Sequence, residues 1–300
     1  MYEEIAANRR RTVLLMLGAV LFLGLIGYGI GWYWGTGPVG LAVAAGIAVA
    51  MALGSYFAGD RIVLASTRAR EVSAEQEPRL HNIVEGLAIA AGIPKPRIYV
   101  VPEDAPNAFA TGRDPEHSSV AVTQGLLQIM NRVELEGVIG HEISHVVGRD
   151  ILVGTVVATL VGAAVLLSEF FMRSWWWGGF RGRRGDSNGG GLELVFFVVG
   201  FVLMAIAPLA GQVIKLAVSR NREYLSDAQR ALVTRYPPGL IVALKKIAAA
   251  PQSMHAANNA TAHLWLNQPS RMPGERNTAM EKLFSTHPPI AERIRRLQEM

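Results

Sequence analysis

The chain has no cysteine. Disulfides and thiolate ligation of a metal are therefore excluded, and nothing in the composition conflicts with a reducing cytoplasm. Histidine is scarce, with seven in 300 residues, so any regular pairing of imidazoles stands out. From Thr12 to Gly59 there is no charged residue at all. Gly37-Pro38 divides this run into segments that can each cross about 30 Å of hydrocarbon, which reads as a transmembrane hairpin. Internal repeats and an acidic tail are also missing. The net charge of +5 does not indicate nucleic acid. Its arginines stand beside the apolar runs, where anionic lipid headgroups account for them.

Half of the residues are hydrophobic and the mean hydropathy is +0.25, yet the middle and C-terminal segments have an ordinary polar composition. This combination fits a membrane protein with a water-facing soluble part. Arg9, Arg10 and Arg11 precede the first run and Trp32, Tyr33 and Trp34 close it as an interface belt, so it reads as an uncleaved anchor. Further apolar runs follow at Ile151 to Met172 and Leu194 to Ile214, separated by a Trp-, Arg- and Gly-rich linker over 173–191. They either span or re-enter the bilayer. Arg9 to Arg11, Arg61, Arg68 and Arg70 place the N-terminus and the segment after the second run on the cytosolic side. With about four spans the last part of the chain returns to that side. The expected division is 1–60 as the hairpin, 61–150 as the first catalytic part, 151–217 as the second membrane pair, and 218–300 as the second catalytic part.

Against this background, His141-Glu142-Ile143-Ser144-His145 is the most informative stretch. Residues four apart share a helix face, so an H-E-x-x-H segment lets both imidazoles reach one zinc ion while the glutamate flanks it as a general base. The run from Asn131 to Asp150 supports the helix. Asn131 and Glu134 have capping-box spacing, and Val133, Leu135, Val138, Ile139 and Ile143 supply apolar positions. Gly137 and Gly140 weaken it and indicate close packing against another element. A catalytic zinc takes three protein ligands and leaves a position for water, so a third ligand must come from a carboxylate or another histidine. Glu223 and Asp227 have the i, i+4 spacing to serve, Glu223 by completing a His2Glu set and Asp227 by accepting the outer N–H of a ligating histidine.

Elsewhere, Glu71 to Gly92 reads as a helix, and Arg97 to Val101 and Ser119 to Val122 read as strands of a small sheet. An exposed edge of that sheet would suit an extended peptide. Pro237-Pro238-Gly239 reads as a break before a helix over Leu240 to Ala249. The polar stretch Pro251 to Glu281 reads as a flap. The chain closes on a basic helix over Ile290 to Met300.

The segments HEISHVVGRD (141–150), SRNREYLSDA (219–228) and STHPPIAERIRRL (285–297) together resemble the HtpX-type membrane zinc metalloproteases, relatives of the CAAX prenyl proteases. NAFA (107–110), SVAVTQGLL (119–127) and TAHLWLN (261–267) extend the resemblance over most of the chain. It implies an α-helical membrane protein with an α+β zincin-type (gluzincin) catalytic domain. It also implies one zinc per chain held by His141, His145 and Glu223, Glu142 as base, Asp227 in support, and Asn107 and His287 near the bound peptide. The implied activity is a zinc metalloendopeptidase of a prokaryotic cytoplasmic membrane. It would cleave misfolded or misassembled membrane proteins on the cytosolic side in quality control and stress response. Prenyl-peptide processing, and an adaptor or inactive scaffold with structural zinc, are the alternatives; an intact Glu142 argues against the scaffold, which needs no base.

Overall fold

The computed structural model describes residues 2–33, 35, 37–160, 162–163, 237–250, 254, 261–267 and 290–299. Helix α1 (Tyr2–Tyr33) and helix α2 (Gly37–Ser66) form the hairpin. A side chain at Gly24 would meet Leu41 and Ala45, and one at Gly37 would meet Tyr28 and Trp32, a register that makes the helices antiparallel. Among the described helices, α2 is long and apolar enough by itself to cross a membrane. The outward faces of both helices carry Leu14, Leu17, Leu21, Phe22, Leu25, Val43, Ile47 and Leu53, all exposed. So much contiguous apolar surface is stable only against lipid or another protein.

The part of the chain expected to be catalytic is built on four strands in the order β1-β2-β4-β3. These are β1 (Arg70–Glu71), β2 (Arg97–Val101), β3 (Ala108–Asp114) and β4 (His117–Thr123). β2 and β4 run parallel, and the other pairs are antiparallel. Both expected strands are present, whereas β3, which holds Ala108 to Ala110 of the NAFA segment, carries no strand signal beyond its Phe and Thr. Its side chains alternate as a pleat requires. Ala108, Ala110, Val120 and Val122 enter a core with Leu80, Leu87, Leu135 and Ile139, while Phe109, Ala121, Tyr99 and Val101 enter a second core with Val63, Leu64 and Trp265. Strands β2, β3 and β4 are thus buried on both faces, which explains why β2 reads as a nearly continuous apolar run from Ile98 to Val101.

Helix α3 (Pro78–Ala91) begins later than expected. Residues 71–77 instead close β1 and turn, with the Gln76 side chain accepting from Ser73 N, and Pro78 opens the helix from its first turn. After α4 (Gln124–Ile129) comes α5 (Arg132–Gly148), whose capping box is fully formed: Glu134 N donates to Asn131 Oδ1 and Asn131 N to Glu134 Oε2, each at 2.9 Å. Gly137 is the close-packing point the sequence indicated. A Cβ there would lie 2.8 Å from Leu240 N on α7 (Pro237–Ala249). Helix α7 starts at Pro237 and not at Leu240, because proline is accommodated in a first helical turn. Val133, expected in the core, is 46% exposed. The last described helix is α8 (Ile290–Gln298).

Candidate metal centre

Helix α5 stops at Arg149, whose φ of 56° puts it in the left-handed region with its N–H directed to His145 O and Val146 O. Helix α6 (Asp150–Leu160) starts at once, bent by 87° from α5. Thr155 of α6 lies against Gly59 of α2, and Thr159 pairs with Ser55, so α6 runs antiparallel to α2 along the hairpin. The elbow therefore sets α5 nearly across the direction of the hairpin.

On α5 the spacing does what the helix period dictates. His141 Nε2 and His145 Nε2 face each other at 3.1 Å, with ring planes at 87°. Tetrahedral zinc with Zn–N bonds of about 2.0–2.1 Å separates two nitrogen ligands by about 3.3 Å. Two imidazole nitrogens converging at this separation fit such an ion. Glu142 is buried beside them, 2% exposed. Ser144 Oγ donates to His141 O at 2.7 Å.

His145 Nδ1 faces Asp150 Oδ2 at 3.3 Å across the elbow. A carboxylate at this place is able to accept the outer N–H of a ligating histidine, the kind of support that the sequence suggested for Asp227. The signal was present, since Asp150 ends the HEISHVVGRD segment, but helix periodicity alone gives no account of an i+5 contact. Arg293 of α8 was also missed. It is fully buried, with Nη2 3.3 Å from both His141 ring nitrogens and Nη1 donating to Leu266 O at 3.4 Å. Glu223, Asp227 and His287 lie outside the described residues, as do 164–236 with the fourth apolar run and the linker, and His255.

Asn107 is buried and its amide is engaged on both sides. Nδ2 donates to Asn267 O at 2.6 Å, and Oδ1 accepts from Asn267 N at 3.0 Å and from Ala108 N at 3.1 Å. Leu266 N donates to Ala108 O at 2.9 Å. Gly112 N donates to Thr155 Oγ1 at 3.1 Å. The outer edge of β3 is therefore covered at both ends by the chain itself, whereas β1, the other edge of the sheet, is exposed; a covered edge must have its backbone groups satisfied. Thr261 to Asn267, within the polar stretch, is docked here. Trp265 meets Phe109 edge to face at 4.7 Å, and His263 Nε2 is 3.1 Å from Gly154 O.

A second cluster, Asp114, Glu116 and His117, has donor atoms close enough for a metal, but it sits at the tip of the β3–β4 hairpin with Glu116 and His117 exposed. Its geometry is that of a turn, since Asp114 Oδ1 accepts from His117 N at 2.7 Å. Burial alone would raise the Asp114 pKa, and the His117 side-chain and backbone hydrogen bonds outweigh it and lower the value.

Residues 74–300 match Peptidase family M48. The chain belongs to this family. It is 46% identical to the Protease HtpX homolog of Thermoanaerobacter pseudethanolicus, over all of this chain and 98% of that protein. It is 42% identical to the Protease HtpX homolog of Streptococcus thermophilus over the whole of both chains. Among solved structures, S. mikatae Ste24p aligns with a TM-score of 0.49 and 17% identity, covering 99% of this chain and 67% of that one. The M48 chain described here is thus a metalloprotease with a helix of membrane-spanning length and a mostly helical fold around a small mixed sheet.

Proposed function

We propose that this chain is a zinc endopeptidase of a prokaryotic cytoplasmic membrane that cuts unfolded or misassembled membrane proteins at the cytosolic surface. The observation that carries the reading is the convergence of His141 and His145 Nε2 at 3.1 Å beside a buried Glu142. His141, His145 and Glu223 would hold the metal. When bound, zinc supplies a Lewis acid for the scissile carbonyl and lowers the pKa of water. Glu142 takes the proton of the attacking water and passes it to the leaving amine nitrogen. Asp150 keeps His145 in the tautomer whose Nε2 lone pair faces the site. Asp227 is proposed in the same supporting capacity toward the second part of the site.

His287 is proposed as a polar group beside the substrate. Asn107 contributes indirectly, because its amide is already committed to the segment that lines β3. The membrane location is supported by α6, which leads from the site directly along the apolar hairpin. The cytosolic side is supported by Arg9, Arg10 and Arg11, exposed at the start of α1, and by Arg61 at the end of α2. A site so placed meets loops and tails of other membrane proteins, the bilayer being its second partner.

The test is cleavage of an unfolded model protein by the full-length enzyme in detergent, with Glu142→Ala prepared alongside. We expect zinc-dependent cleavage that falls by about 10²–10⁴-fold in the variant while its zinc content is unchanged. His141→Ala and His145→Ala should lose the metal. Equal behaviour of wild type and Glu142→Ala, with zinc present in both, would discard the peptidase reading in favour of a zinc-bearing scaffold.

A further inference from the structure

Asn8 is a polar residue that none of the sequence motifs includes. It lies in the second turn of α1, is 1% exposed, and is followed at once by the exposed Arg9, Arg10 and Arg11. Its Nδ2 donates to Gly148 O at 2.9 Å and to Asp150 Oδ1 at 2.7 Å. The other oxygen of Asp150, Oδ2, faces His145 Nδ1. A continuous line of hydrogen bonds thus runs from the membrane anchor, through the elbow between α5 and α6, to one of the imidazoles that face the metal position.

We infer that Asn8 is a positioning residue of the metal centre, and that α1 serves the site as well as anchoring it. A carboxylate on a sharp elbow can rotate about χ1 and χ2, and only some of its orientations point an oxygen at His145. Asn8 removes that freedom. One amide nitrogen ties Oδ1 of Asp150 to the last carbonyl of α5, so that Oδ2 is left aimed at the ring. An apolar side chain could fill the same space but would leave both Gly148 O and Asp150 Oδ1 without this donor. The consequence is functional: a chain whose first helix has not docked against the elbow holds its metal more weakly, so catalytic competence is tied to insertion of the anchor. The inference rests on His145 being a metal ligand.

The experiment uses the full-length protein in detergent as wild type, Asn8→Ala, the isosteric Asn8→Asp, and Thr12→Val. Thr12 is a buried control one turn further on that bonds only the Asn8 carbonyl in the described structure. Zinc affinity by chelator competition, the cobalt(II) absorption spectrum, kcat, KM and Tm are read for each. Loss of an outer hydrogen-bond partner costs about 10–100-fold in metal affinity, and Asn8 stands one bond further out, so about tenfold is expected for Asn8→Ala. We expect kcat to fall with KM held and the cobalt spectrum to change. Asn8→Asp should be at least as impaired as Asn8→Ala despite its matching volume, since it sets a second carboxylate against Asp150. Thr12→Val should move Tm alone.

On an Asp150→Ala background the effect of Asn8→Ala on zinc affinity should vanish. Wild-type zinc affinity in both Asn8 variants, a milder defect in Asn8→Asp than in Asn8→Ala, or additive effects with Asp150→Ala would each overturn the inference. If Asn8→Ala does not fold, the affinity and spectrum of Asn8→Asp decide. A His145→Ala variant with full zinc affinity would instead remove the metal assignment and this inference with it.

Discussion

The hairpin and the catalytic half are assembled by opposite rules. Helices α1 and α2 turn Leu, Val and Phe outward and bury Asn8, Thr12 and Ser55 against protein. The catalytic half buries Leu135, Val138, Ile139 and Ile143 in the usual way, then adds His141, Glu142 and Arg293 to the same interior. With lipid as the apolar phase proposed around the hairpin, protein-facing positions are where polar groups find partners. In the catalytic half, water is the outside phase, and a buried ionisable group is retained only where other charges or a ligand compensate for its desolvation. The two regions meet at the elbow of Arg149 and Asp150, where the buried polar groups of one reach those of the other.

The sharpest way to break this contrast is to truncate a leucine in each region. Leu135 is fully buried on α5, and Leu135→Ala should cost about 2–5 kcal/mol through lost burial and the cavity left behind. Leu17 is 59% exposed on α1, and Leu17→Ala should change stability by less than about 0.5 kcal/mol. Thermal unfolding of both variants in one detergent compares them directly. An equal loss at Leu17 would mean that this face packs on protein and not on lipid.

Glycine sharpens the same contrast on a smaller scale. Gly137→Ala forces a Cβ against the backbone of α7, with Leu240 N 2.8 Å away, and should cost about 1–3 kcal/mol with some loss of activity, because α5 carries both histidines. Gly54 in α2 has open space around the same position, so Gly54→Ala should leave Tm unchanged or raised. A matched gain in both would show that helix propensity, and not the α5–α7 contact, decides tolerance. Asn131→Ala tests the other support of α5 and should lower stability by about 1 kcal/mol.

The parts legible in the sequence are those whose physics is local or periodic. The charge-free run marked the hairpin, the capping box and the H-E-x-x-H spacing marked α5, and β-branched runs marked β2 and β4. What escaped depends on long-range pairing. Ala108 to Ala110 form a strand because β4 pairs with them and the Phe109–Trp265 contact pins them, neither of which their own residues announce. Asp150 supports His145 because Arg149 takes a left-handed conformation, and no pattern rule assigns that to arginine. Asn8 and Arg293 reach the site from opposite ends of the chain, so only the fold brings them to one helix.

The smallest expected effect distinguishes the two regions by acid. Glu134 is buried at the start of α5, and burial alone would raise its pKa. The Lys246 hydrogen bond at 2.7 Å, the Asn131 N–H and the charge of Lys246 outweigh that and hold it below its ordinary 4.5. A carboxyl depressed in the folded state contributes stability that is fully present above its unfolded pKa and is lost as pH falls through the folded value. The α5–α7 contact should therefore weaken only below about pH 4.5, well under the neutral range in which the enzyme would work. Glu134→Gln should be less stable at pH 7 and should flatten this acid limb, as should Lys246→Met in part. The body of the hairpin carries no Asp, Glu or His between Thr12 and Gly59, so protease protection of that segment in detergent should stay constant over the same acid interval. Parallel loss of protection there would mean that the hairpin depends on the docked catalytic half for its own structure.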